Sequence, residues 1–158
     1  EYYIQQIIGT FYFQTLLADF EKMAHERMEK GEALSPKVIR ATYRDLMEKY
    51  WGPEVYRDSI SDLGALRLYH FYRNFYVYQY ATGISGAHSL AARILGGESG
   101  AAEAYLEFLK AGASVYPLDA LRAAGVDLSS PEPVEQTFIV LDDLVDRLAV
   151  LTGVDQTA

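Results

Sequence analysis

The chain has 158 residues, half of them apolar and 23% charged, with a net charge of −8. That length supports one compact domain with a sizeable core, and the acidic balance excludes a nucleic-acid-binding surface, which needs clustered Lys and Arg. Cysteine is absent, which excludes disulfides and thiol nucleophiles, and no apolar run reaches the roughly 18 residues of a membrane span. A reducing, cytoplasmic setting without membrane or nucleic-acid partners is the expectation. The first residue is Glu1 rather than Met, and a processed product or a piece of a longer protein is expected from that.

The chain reads as helices separated by helix-stop signals. From about Tyr3 to Lys30, apolar residues recur at Ile4, Ile7, Ile8, Phe11, Leu16, Phe20, Met23 and Met28 with helical spacing. Gly9 and the cluster Phe11-Tyr12-Phe13 mark a bend, and Gly31 marks the stop. Ser35-Pro36 starts a second helix, an N-cap followed by proline at the first helical position. Gly52-Pro53 ends it, and residues 54–62 form a polar connector. A long helical stretch from about Leu63 to Leu95 follows, with a break near His70, and Gly96-Gly97 terminates it. Ser99 begins a helix through Lys110, Pro117 to Ala124 forms a short one, and Val134 to Leu151 forms the last. The apolar stripe of that last helix is Val134, Phe138, Leu141, Leu144, Val145, Leu148 and Leu151. The expectation is an all-α, single helical domain over residues 1–158, built of about six helices.

Metal and nucleophile motifs are missing. The three histidines, His25, His70 and His88, form neither H-E-x-x-H nor the Glu-x-x-His pairs of di-iron bundles. His25 reads as a helix residue near Glu21 and Glu29, and His88 as a packing or surface residue. Asp142, Asp143 and Asp146 read as a solvated helix face. The distinctive segment is residues 69–80, where seven of twelve residues are aromatic and five of those are tyrosine. Buried tyrosine hydroxyls need hydrogen-bond partners, so this composition beside His70 points to a wall of neutral donors rather than a plain core. Such donors suit stabilisation of a developing oxyanion. On one continuous helix, His70 and Tyr78 share a face, whereas Tyr72, Tyr76 and Tyr80 lie on another stripe.

The run His70 to Gly83, HFYRNFYVYQYATG, resembles the C-terminal signature of the oligoendopeptidase F family, among the thimet-oligopeptidase-like zinc metallopeptidases. Gly9-Thr10-Phe11-Tyr12-Phe13-Gln14-Thr15, Ala18-Asp19-Phe20-Glu21, His25, Tyr50-Trp51-Gly52 and Phe108-Leu109-Lys110-Ala111-Gly112 extend the likeness in order along the chain. The resemblance implies an all-helical enzyme that hydrolyses oligopeptides, with zinc held by H-E-x-x-H and a further glutamate. His70, Tyr72, Tyr76 and Tyr78 match the family positions that donate to the oxyanion and hold the peptide backbone. The zinc motif itself is absent from this sequence. The chain is therefore expected to be the C-terminal portion of such an enzyme, inactive and binding no zinc by itself. Its expected partners are the oligopeptide substrate, the N-terminal part of the same enzyme, or further copies of itself. The alternative is a non-catalytic all-helical binding or assembly domain.

Overall fold

The computed structural model describes residues 1–154, and the described residues hold seven α-helices and no strand. These are α1 (Tyr2–Ile7), α2 (Phe13–Glu29), α3 (Pro36–Trp51), α4 (Tyr78–Leu95), α5 (Ala101–Ala111), α6 (Pro117–Ala123) and α7 (Glu132–Thr152). The all-α architecture is as the sequence implies. The bend expected at Gly9 is a π-helical turn, Ile8–Tyr12, between α1 and α2. There the Thr15 hydroxyl donates to the Phe11 carbonyl at 2.6 Å, satisfying an acceptor beside the widened turn.

The long helix expected from Leu63 to Leu95 is not continuous. Two 3₁₀ turns, Ser61–Arg67 and Tyr69–Tyr72, precede α4, which begins only at Tyr78. Leu68, with φ −88° and ψ 95°, separates the two turns in extended conformation. Apolar periodicity over this stretch reports burial of Ala65 and Val77 in the core, not one helix.

Chain contacts divide the molecule into two compact units, Gly9–Ala81 and the remainder, Glu1–Ile8 with the chain from Thr82 onward. In the first, α2 and α3 pack with the 3₁₀ turns around Leu16, Leu17, Phe20, Tyr43, Leu46, Ala65 and Val77. Ser35 caps α3 as its composition implies, its hydroxyl accepting from the Val38 N–H at 3.3 Å. Gly64 lets the first 3₁₀ turn press on α3, since a Cβ there would lie 2.8 Å from the Tyr43 ring. Buried Asp62 fixes the same turn by accepting from Arg44 Nε at 2.9 Å, with Arg40 3.8 Å away. The Arg44 hydrogen bond is the main reason its carboxyl lies below the usual carboxylate range.

In the second unit, Leu90, Ala124 and Val126 form a small core with Tyr105, Phe108, Leu121 and Leu128. Arg93 donates to the Ala124 carbonyl at the end of α6 and to Glu98. The apolar stripe of α7 is not part of this core, and its Leu141, Leu144 and Leu148 are half-buried. Val134, Phe138, Val145 and Leu151 are exposed, and the buried residues of the helix are Pro133 and Thr137. Periodicity located the apolar face of α7 but carried no information about what covers it.

Thr137 is buried because it joins a polar knot. Its hydroxyl donates to the Pro133 carbonyl at 3.2 Å and so accepts from His88 Nδ1–H at 3.1 Å. That leaves His88 Nε2 to accept from the Tyr3 hydroxyl at 2.7 Å, tying α1, α4 and α7 together. His88 is thus a packing histidine, and burial pushes it below the ordinary histidine range. A depressed pKa means that the unfolded chain binds the proton more readily. This contribution to stability is therefore complete above about pH 6.5 and lost as pH falls toward the folded-state value. Urea unfolding is expected to show stability decreasing below about pH 6.5, and His88→Gln to flatten that slope. An unchanged slope in the variant would count against the neutral knot.

Candidate functional site

The tyrosine-rich segment lies wholly within the Gly9–Ala81 unit. Two apolar anchors hold it: the Phe71 ring packs on Phe20 at 5.2 Å, and Val77 is fully buried. Between them the chain makes tight turns, with the Arg73 N–H donating to the His70 carbonyl at 2.9 Å and the Tyr76 N–H to the Arg73 carbonyl at 3.2 Å. The turns fold Tyr76 back over His70. Their rings are parallel to within 3°, with centroids 5.6 Å apart, and Tyr69 stacks on His70 at 4.1 Å. Tyr76 and Tyr80 share a hydrogen bond of 3.0 Å between their hydroxyls, with the rings edge to face.

The structure therefore brings His70 and Tyr76 together, which reasoning from one helix face had kept apart. The pairing of His70 with Tyr78 rested on a continuous helix, and residues 73–77 between them are not helical. Tyr78 stands at the first position of α4, 49% exposed, and Tyr72 at the end of its 3₁₀ turn, 91% exposed. Two members of the group were not among the residues expected at the site: Tyr69, and Tyr80, which the sequence places only on the stripe of Tyr72 and Tyr76. The four-residue spacing of Tyr76 and Tyr80 was the signal available. The hydrogen bond to Tyr76, with burial adding, raises the Tyr80 hydroxyl above the ordinary tyrosine range. Tyr80 therefore keeps its proton at neutral pH, and a bonded hydroxyl pair of this kind leaves one O–H able to donate to a carbonyl oxygen or oxyanion.

No three His, Asp or Glu side chains converge as a metal-binding group among the described residues. No helix is long and apolar enough to cross a membrane among the described residues.

The description of peptidase family M3 matches residues 2–139. The chain belongs to peptidase family M3. It is 43% identical over 143 residues to an oligopeptidase, PepF, of Bacillus subtilis, covering 90% of this chain and 21% of that protein. It is 45% identical over 135 residues to an oligoendopeptidase F homolog of Borreliella burgdorferi, covering 85% of this chain and 23% of the relative. A crystal structure of oligoendopeptidase-F from Enterococcus faecium superposes with a TM-score of 0.83 at 39% identity, over 92% of this chain and 29% of that one. The chain thus spans about a fifth to a quarter of the length of these curated relatives.

Proposed function

We propose that this M3-family chain is the substrate-side portion of a zinc-dependent metalloendopeptidase that hydrolyses oligopeptides. The observation that carries the reading is the His70–Tyr76–Tyr80 group, a stacked imidazole and a hydrogen-bonded pair of hydroxyls on one short segment. Peptide hydrolysis builds negative charge on the scissile carbonyl oxygen. Preorganised donors lower that barrier without carrying out the chemistry themselves. His70 and Tyr76 face the developing oxyanion, with Tyr80 orienting the Tyr76 hydroxyl. Tyr72 and Tyr78, exposed on either side, hold the peptide backbone.

The test is hydrolysis of an internally quenched oligopeptide by the full-length gene product. Cleavage that a chelator abolishes and added zinc restores supports the reading. A zinc-supplemented product that cleaves no peptide would favour the non-catalytic binding or assembly role.

A further inference from the structure

Phe75 is the only residue other than glycine with positive φ among the described residues, at +57°. A bulky side chain rarely adopts this left-handed conformation, and it persists only where the surroundings enforce it. Here α2 supplies the enforcement. The Phe75 N–H donates to Glu21 Oε1 at 2.7 Å. Glu21 is 4% exposed, and it makes no ion pair among the described residues. A buried carboxylate whose partner is a backbone amide loses hydration, so its hydrogen bond is strong and its removal is felt. One helical turn further along α2, His25 meets the Phe75 ring, with centroids 4.7 Å apart. Glu21 therefore grips the main chain of Phe75 and His25 its side chain, from one face of one helix. Tyr76 follows directly, and the left-handed residue before it sets the direction in which its ring leaves the backbone.

We infer that Glu21, assisted by His25, is a positioning residue that locks Phe75 in the left-handed conformation and so directs Tyr76 over His70. The importance of this for peptide hydrolysis rests on the reading proposed above; the geometric lock does not.

Three variants of the full-length gene product separate the possibilities. Glu21→Gln keeps an acceptor oxygen, Glu21→Ala removes it, and Phe75→Gly makes the left-handed conformation free of strain. Hydrogen–deuterium exchange at the Phe75 amide is expected to accelerate at least ~10-fold in Glu21→Ala and to stay within ~3-fold in Glu21→Gln. In peptide hydrolysis, Glu21→Ala is expected to lower kcat ~10-fold or more with KM little changed, and Glu21→Gln to restore most of it. Adding Phe75→Gly to Glu21→Ala is expected to recover part of kcat, a non-additivity that general destabilisation would not produce. Unchanged exchange in Glu21→Ala overturns the lock, as does Glu21→Gln behaving like Glu21→Ala. Accelerated exchange with kcat unchanged overturns the positioning role. A product that hydrolyses no peptide at all sinks the functional reading, while the exchange comparison still decides the lock.

Discussion

Replacing His70 by alanine is expected to lower kcat for oligopeptide hydrolysis by ~10²–10³, equivalent to about 2.7–4 kcal/mol for one preorganised donor. The expectation follows from placement. His70 stacks with both Tyr69 and Tyr76 on a segment anchored by Phe71 and Val77, so its ring is oriented before any substrate arrives. A donor that meets charge only in the transition state changes kcat and leaves KM nearly unmoved. Steady-state kinetics of the full-length gene product, with circular dichroism to verify folding, would check this. A rise in KM at constant kcat would instead make His70 an ordinary substrate contact. Tyr76→Phe removes one hydroxyl and keeps the stacking ring, so its loss in kcat is expected to be smaller than that of His70→Ala.

The second large effect lies in the core. Phe20→Ala is expected to destabilise the Gly9–Ala81 unit by about 3–5 kcal/mol, the usual range for emptying a buried aromatic site. Phe20 is 6% exposed and touches two rings, Tyr43 edge to face at 5.8 Å and Phe71 at 5.2 Å. Tyr43 belongs to α3 and Phe71 to the 3₁₀ turn that carries His70. The cavity therefore opens beneath the tyrosine-rich segment as well as between helices. Against a typical domain stability of 5–15 kcal/mol, such a loss shifts the urea midpoint strongly, and Phe20→Leu should recover much of it. A loss below about 1 kcal/mol would mean that Phe20 does not tie the segment to α2 and α3.

How far the sequence reaches differs between elements. Ser35-Pro36 and Gly52 mark the two ends of α3 because capping and φ preferences are local, and the structure places both there. Residues 63–77 defeat the same approach. The conformation of Phe75 depends on Glu21, 54 positions away, and helical periodicity carries no trace of a partner that distant. The α7 stripe fails differently. The sequence identifies its apolar residues, but the buried positions of α7 are Pro133 and Thr137, and Thr137 is bonded to His88, 49 positions away. At the site, composition alone pointed to residues 69–80, whereas which rings meet depended on the turns between Tyr72 and Tyr78. His70 and Tyr76 come together because the chain leaves the helix there.

The most direct measurement is the affinity of the full-length gene product for a phosphinic peptide, whose tetrahedral anion mimics the hydrolytic intermediate. It is compared with an uncleaved ground-state peptide, in wild type and in His70→Ala. If His70 and its tyrosines meet developing charge, His70→Ala should weaken phosphinic binding by the same factor as it lowers kcat/KM and leave ground-state binding within ~3-fold. Equal weakening of both ligands, or none of either, would contradict the assignment of this segment as the oxyanion side of a peptidase site.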